Sequence, residues 1–332
     1  MHALGFTRYG PPEVLQPLDL PRPEVPADGV LIRVAAAGIN PADWRFRSGQ
    51  FRRAVRLKLP FVPGSDVAGV ALAVGSAVTR FRPGDAVFTM LPVREGGGYA
   101  QLAVAREALV APVPTGICLG DAAAVPLAGL TALQALRDKA GLRAGQRVLI
   151  YGASGGVGTF AVQIARALGA RVTAACSGRN AELVRSLGAD EVIDYTGQEV
   201  TAGPPRFDVV FDAVNHLAFR RARRVLRAGG TFVTVNPVIG NLTPAWLSAF
   251  WGGRRLRSLF VQPSGADLET LGEWLAGGQL KSVIDRTHPL LDGAAAHEYS
   301  ASGRVRGKLV LTVDEDLAAR RAENARSLVG RA

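Results

Sequence analysis

The chain has little of what staples or metallates a small fold: two cysteines, Cys118 and Cys176, and four histidines in 332 residues. Two thiols exclude a disulfide framework and a four-cysteine zinc lobe. His2, His216, His288 and His297 do not stand at ligand spacing, so both residue types are expected in packing or surface roles. Long apolar runs are missing as well. No stretch approaches the roughly 18 uninterrupted apolar residues of a membrane-spanning helix, and the N-terminal residues Met1 to Arg8 carry no extended apolar segment behind their charges. A cytoplasmic location without a membrane span is the expectation. Lysine is scarce, at positions 58, 139, 281 and 308 only, so the net charge of +11 is built from arginine. Those arginines are dispersed and no zinc-finger, RNP-type or basic-region motif accompanies them, so no specific nucleic acid is expected as a partner. Two denser basic stretches remain, 45–56 and 246–257. In the second, Trp246, Phe250 and Trp251 interleave with Arg254, Arg255 and Arg257, which reads as a packed amphipathic helix. Repeats and low-complexity tracts are absent.

What the chain does have is a glycine-rich turn. Val148-Leu149-Ile150-Tyr151 reads as an apolar strand running into Gly152-Ala153-Ser154-Gly155-Gly156-Val157-Gly158 and then a helix. Glycines allow a sharp turn and close backbone approach, and the amides at a helix start face incoming negative charge, so the pattern fits a dinucleotide pyrophosphate. Helical spacing of Phe160, Ala161, Ile164, Ala165 and Leu168 continues to Gly169, and 171–176 is the next strand, completing a βαβ unit. In such a unit an acidic residue about 20 positions on binds the ribose 2′-hydroxyl and repels a 2′-phosphate. None stands there. Cys176-Ser177-Gly178-Arg179-Asn180 offers a hydroxyl and a guanidinium instead, and Tyr195 follows, so NADPH rather than NADH is the expected cofactor.

At 332 residues and 48% hydrophobic content the chain exceeds what one core organises. Short apolar runs broken by Gly and Pro before residue 118 suggest a barrel-like β unit; alternating strands and helices from 121, with strands at 148–151, 171–176, 207–212 and 230–235, suggest a doubly wound one. A strand at 258–262, a helix at 266–276 and a strand at 308–313 follow, the last returning to the first domain. The expected class is thus α/β, divided as 1–120, 121–257, 258–313 returning to the first domain, and a tail at 314–332 that forms a helix or a frayed end.

Eight motifs in order resemble the zinc-free quinone oxidoreductase branch of the medium-chain dehydrogenase/reductase superfamily, with its zeta-crystallin-like, enone and alkenal reductases. They are Gly38-Ile39-Asn40-Pro41-Ala42-Asp43-Trp44, Pro63-Gly64-Ser65-Asp66-Val67-Ala68-Gly69, Arg82-Pro83-Gly84-Asp85, Gly97-Gly98-Tyr99-Ala100, Pro126-Leu127-Ala128-Gly129-Leu130-Thr131, the glycine turn, Leu187-Gly188-Ala189-Asp190 and Arg306-Gly307-Lys308. The resemblance spans residues 1 to about 313. It implies a GroES-like β-rich catalytic domain plus a Rossmann domain with NADPH in the cleft between them, and a homodimer formed edge to edge through the Rossmann sheets.

Where zinc-dependent relatives place a cysteine this chain has Asn40, and in place of their His-Glu pair it has Ser65-Asp66. An amide and a hydroxyl are poor zinc ligands, so no metal is expected. Without a Lewis acid, substrates already eager for hydride are favoured, namely quinones and α,β-unsaturated carbonyls. Hydride would pass directly from the nicotinamide, with positioning supplying much of the rate. The developing oxyanion needs a donor. By the resemblance that donor is Asn40, which could instead only cap the turn before Pro41, and Thr131 faces the nicotinamide or its ribose, or caps a helix start. Further cofactor contacts are expected from Arg45, Ser154, Gly155, Gly156, Val157, Gly158, Ser177, Arg179, Tyr195, Asn236, Phe260, Val261 and Lys308. Arg45 stands where the quinone reductases usually carry tyrosine, which leaves quinone and enone both open. Other readings are an enoyl reductase acting on acyl or polyketide substrates and, in a different class, an NADPH-bound protein serving RNA or partner binding.

Overall fold

The computed structural model describes residues 1–235 and 252–322. It divides into two compact units. The first holds Met1–Leu130, Gln262–Gly278 and the chain from Ser282; the second holds Thr131–Val261 and Gln279–Lys281. The helix Pro126–Leu133 carries the chain from one to the other. The compact units change over at 130/131 and 261/262, where the sequence reading divides the chain at 120/121 and 257/258. The reason lies in the strand expected at 258–262: it forms as Arg255–Leu259 and pairs in parallel with Leu226–Val235, so it ends the second unit rather than beginning the return.

The second unit is a six-stranded parallel sheet. From edge to edge the strands are Glu191–Asp194, Arg171–Cys176, Arg147–Tyr151, Phe207–Asp212, Leu226–Val235 and Arg255–Leu259. Counted in chain order within the unit this is 3-2-1-4-5-6, so the order reverses between Arg147–Tyr151 and Phe207–Asp212. The central strands are continuous apolar runs because helices cover both faces: Val148, Leu149, Ile150, Val210, Phe211, Phe232 and Val233 are fully buried. Glu191–Asp194 and Ile284–Pro289 are strands that the sequence pattern did not show.

The first unit is built on a seven-stranded sheet around the long strand Gly29–Ile39. One edge of that strand pairs antiparallel with Asp66–Val74. The other edge is shared, Leu102–Arg106 taking 29–33 and Lys308–Thr312 taking 36–39. Three distant segments therefore meet at its C-terminal end: Leu309 lies opposite Ile39, and Gly38 opposite Asp66. The helix Pro41–Arg47 leaves from that end, its start set by Pro41 at the first turn and by the Asp43 carboxylate accepting the Asn40 backbone N–H at 2.8 Å. In the tail, a short helix Glu315–Ala318 is capped by the Asp314 carboxylate, which accepts the Leu317 N–H at 3.0 Å. Half of the stretch expected as an amphipathic helix at 246–257, and the tail beyond 322, lie outside the described residues; within the former, 255–257 belong to a strand.

Candidate functional site

In the second unit the glycine turn sits where the strand order reverses. Gly152 has φ +79°, and a Cβ there would stand 2.6 Å from a Val214 methyl, so the turn and the end of the fourth strand approach as only glycine permits. A Cβ on Gly158 would lie 2.1 Å from the Gly152 carbonyl, which makes this glycine the contact on which the helix Gly156–Ala167 seats against the turn. Gly155 is open on its Cβ side apart from the Gly152 carbonyl at 3.5 Å. The helix begins at Gly156, and the N–H groups of its first turn have no intrahelical acceptor, so they and the positive end of the helix dipole are available to an anion.

Asn180 joins this turn to the next loop. Its Nδ2 donates to Ser154 Oγ at 2.9 Å and to Ser177 Oγ at 3.2 Å, while its Oδ1 is buried and unpaired. Both hydroxyl oxygens are thus occupied as acceptors and their protons are free to donate elsewhere. Arg179, in the single turn Gly178–Asn180, is exposed. Tyr195 is exposed and stacks on Tyr151 with ring centroids 5.8 Å apart, and its backbone N–H donates to the Cys176 carbonyl beside Ser177. An acidic group does stand near this loop, from the third strand: a Cβ on Gly178 would lie 2.4 Å from Asp194 Oδ2. The Thr196 hydroxyl and N–H hold the Asp194 carboxyl below its usual range.

In the first unit Asn40, Asp66 and Lys308 form one buried cluster. Lys308 Nζ donates to Asn40 Oδ1 at 2.5 Å, to Asp66 Oδ2 at 3.0 Å and to the Ile39 carbonyl at 3.1 Å. Asn40 Nδ2 donates to the same Asp66 oxygen at 2.9 Å, and Asp66 Oδ1 accepts the Leu127 N–H at 2.7 Å, in the first turn of the helix that runs on to Thr131. The three side chains are at most 3% exposed. Strand register explains the meeting, because Lys308 precedes the residue paired with Ile39 and Asp66 faces Gly38. Gly38 clears the way between them: a Cβ there would stand 2.8 Å from Asp66 Oδ2 and 2.5 Å from the Ala123 carbonyl.

A second buried chain starts from the same helix. Tyr99 Oη donates to Asp43 Oδ2 at 3.1 Å and lies 3.1 Å from His297 Nε2. A neutral His297 with its proton on Nε2 completes a one-way line of donors into the carboxyl. Burial pushes Asp43 up to about 7, against the Asn40 N–H that favours its ionised form, and burial pushes His297 down to about 3, helped by the charge of Arg47. The Tyr99 phenol is likewise pushed up by burial.

Of the residues expected at the site, the structure joins Ser154 to Ser177 through Asn180, and Asn40 to Lys308. Lys308, expected among the cofactor contacts, has its three N–H groups all taken inside the first unit. The Asn40 side chain is bonded to Lys308 and Asp66, and Asn40 is also the N-cap of Pro41–Arg47, where it forms a capping box with Asp43. Thr131 is the sixth residue of its helix and 5% exposed, so it does not cap a helix start. Arg45 lies half-buried on the helix after Asn40, its guanidinium 5.1 Å from the Trp44 ring centre, with burial lowering its pKa. Its Nε and Trp44 Nε1 are both buried and unpaired. Phe260 is 63% exposed and, with Val261, follows the sixth strand. Asn236 lies outside the described residues. Asn180, Asp66, Tyr99 and His297, which join these clusters, were not among the expected site residues, although Asp66 and Tyr99 lie in the motifs that carry the resemblance and Asn180 stands three positions after Ser177. Among the described residues no three His, Cys, Asp or Glu side chains gather as metal ligands, and no helix is long and apolar enough to cross a membrane.

The family model of the alcohol dehydrogenase GroES-like domain matches residues 26–115, and that of the zinc-binding dehydrogenases matches residues 187–311. The chain is 37% identical over 322 residues to a chloroplast envelope quinone oxidoreductase homolog of Arabidopsis thaliana, covering 94% of this chain and 98% of that one. It is 36% identical to a 2-methylene-furan-3-one reductase of Solanum lycopersicum, covering 94% and 79%. Among solved structures, Escherichia coli quinone oxidoreductase complexed with NADPH superposes with a TM-score of 0.83 at 26% identity, covering 94% of this chain and 100% of that one.

Proposed function

Because this chain belongs to the quinone oxidoreductase branch of the medium-chain dehydrogenase/reductase superfamily, we propose that it is an NADPH-dependent, zinc-independent reductase of quinones or α,β-unsaturated carbonyls. The observation that carries the cofactor half is the glycine turn at the sheet's reversal point, with Ser154 and Ser177 held by one amide whose oxygen is buried and unpaired. That unpaired oxygen and the open Gly155 fit a ligand present in the working enzyme. The amides of Gly156, Val157 and Gly158 would meet the pyrophosphate, Ser177 and Arg179 the 2′-phosphate, and Tyr195 the adenine. Arg45, Thr131, Phe260 and Val261, with Asn236 outside the described residues, belong to the same proposed set. When bound, the cofactor supplies a hydride.

On the substrate side the reading rests on Asn40. Enone reduction adds hydride at the β-carbon and a solvent proton at the α-carbon; quinone reduction adds hydride and a proton to give the hydroquinone. In both, negative charge develops on the carbonyl oxygen, and the second Nδ2 proton of Asn40 is the donor assigned to it. The donor set disfavours a metal in that place, because the Lys308 ammonium already sits against Asn40 Oδ1 and Asp66 Oδ2 and repels a second cation. The same reading places the enzyme in the cytoplasm as a homodimer joined along the edge strand Arg255–Leu259, whose outer backbone groups pair with no strand among the described residues.

The test is consumption of NADPH and NADH at matched concentration with 1,4-benzoquinone, 9,10-phenanthrenequinone, a short 2-alkenal, a cyclic enone and, in reverse, a simple alcohol, with and without chelator. The expected result is NADPH-preferring turnover of quinone or enone that survives chelation. Turnover abolished by chelation, or confined to the alcohol, overturns the reading. Sedimentation at micromolar concentration checks the dimer.

A further inference from the structure

We propose that Lys308 and Asp66 are positioning residues that lock the Asn40 carboxamide in the one orientation able to stabilise the reduced carbonyl oxygen. The inference rests on the reading above, in which Asn40 is the donor. A carboxamide has two nearly isosteric orientations related by a half-turn of its terminal torsion. One presents an N–H to the reacting oxygen; the other presents a lone pair and repels the developing charge. Asn40 is held by two groups that read its ends oppositely. Lys308, which has no acceptor, takes Oδ1 at 2.5 Å; Asp66, which when ionised has no donor, takes one Nδ2 proton at 2.9 Å. Turning the amide over would set nitrogen against the ammonium and oxygen against the carboxylate, two repulsive contacts in a buried site where electrostatics are strong.

The holders are themselves held. Lys308 and Asp66 bond each other at 3.0 Å, the third ammonium proton goes to the Ile39 carbonyl, and the other carboxylate oxygen goes to the Leu127 N–H. With these bonds made, Lys308 has no free proton and Asn40 has one. Lys308 also draws electron density from Oδ1, which strengthens that remaining N–H as a donor. Gly38 is part of the device, since any side chain there would displace the Asp66 carboxylate from Lys308.

The experiment is a double-mutant cycle on kcat with an enone that the wild type turns over, using Lys308→Met, Asn40→Ala and the two combined, alongside NADPH and NADH dissociation constants from nicotinamide fluorescence. A preorganised donor is worth about 10²–10³ in kcat, so Lys308→Met is expected to lower kcat by about tenfold or more with little change in either dissociation constant. In the Asn40→Ala background it should lower kcat no further, because the group it orients is gone. Additive losses, or a dissociation constant raised for NADPH and not NADH, overturn the proposal, the latter in favour of a phosphate contact. If Lys308→Met does not fold, Lys308→Met/Asp66→Leu removes both charges together and is put through the same cycle. Absence of wild-type turnover would instead sink the reading on which the proposal rests, so the two failures are told apart.

Discussion

The Asn40 cluster of the first unit and the glycine turn of the second differ in how their polar groups are paired. Asn40, Asp66 and Lys308 are buried and bonded to one another, and Asp43, Tyr99 and His297 form a second buried chain that ends on a His297 Nδ1 with no partner. Arg179 and Tyr195 are exposed, the first-turn amides of Gly156–Ala167 lack helical acceptors, and Asn180 keeps a buried oxygen unpaired. A group that must stabilise charge only in the transition state gains from being fixed in advance, since no reorganisation is then needed during reaction. A phosphate-binding loop has to leave its donors free, because the ligand brings its own charge and satisfies them.

Three perturbations break or sharpen that contrast. The largest effect is expected from Gly158→Ala, whose new Cβ would stand 2.1 Å from the Gly152 carbonyl. The turn must open, and affinity for NADPH and NADH should fall together by about a hundredfold or more, in line with the close backbone approach that the third glycine secures. Calorimetric titration showing unchanged affinity would mean that the turn is not the pyrophosphate site.

Next is Arg179→Ala, which leaves the turn intact and removes one guanidinium from solvent. NADPH should weaken by about tenfold, the worth of one charge-assisted contact, and NADH hardly at all. Equal loss for both cofactors would remove Arg179 from the 2′-phosphate.

The smallest effect, in the closed region, is a slope. Asp43 has a folded pKa of about 7, above its ordinary 3.8, so the stability it contributes is complete below about pH 4 and is lost as pH rises through 7. His297 has a folded pKa of about 3, below its ordinary 6.5, so its contribution is present above 6.5 and lost as pH falls toward 3. Between about pH 4 and 6.5 the two slopes oppose each other. Asp43→Asn removes the first and leaves the second, so denaturation midpoints of the variant should climb with pH across that window more steeply than those of the wild type. Parallel curves would show that Asp43 is ionised throughout.

The glycine turn and the loop after the next strand were legible because their signal is local. A strand, a glycine turn and a helix are contiguous, and Ser177, Arg179 and Tyr195 follow at the ends of the next strands. The Asn40 cluster was legible only in part. Asn40 stood out by resemblance, while Lys308, with Arg304 and Arg306 beside it, read as a cofactor contact or as a residue decorating the last strand. The strand boundary near 258 was misjudged for a related reason: Arg255 and Arg257 look like part of a charged stretch, yet they alternate with Leu256 and lie on an edge strand.

By itself the amino-acid sequence determined where four of the six parallel strands and the helix after the glycine turn form, and where the backbone turns closely on glycine. Both follow from apolar periodicity and glycine spacing over a few residues. Tertiary structure alone decided that Lys308 is buried rather than exposed, that Asp66 crosses behind Gly38 to reach it, and that the Asn40 amide faces one way. Those outcomes depend on the register of Gly29–Ile39 against two strands from distant parts of the chain, and on the cost of burying charge, which forces every buried ion to find its partner.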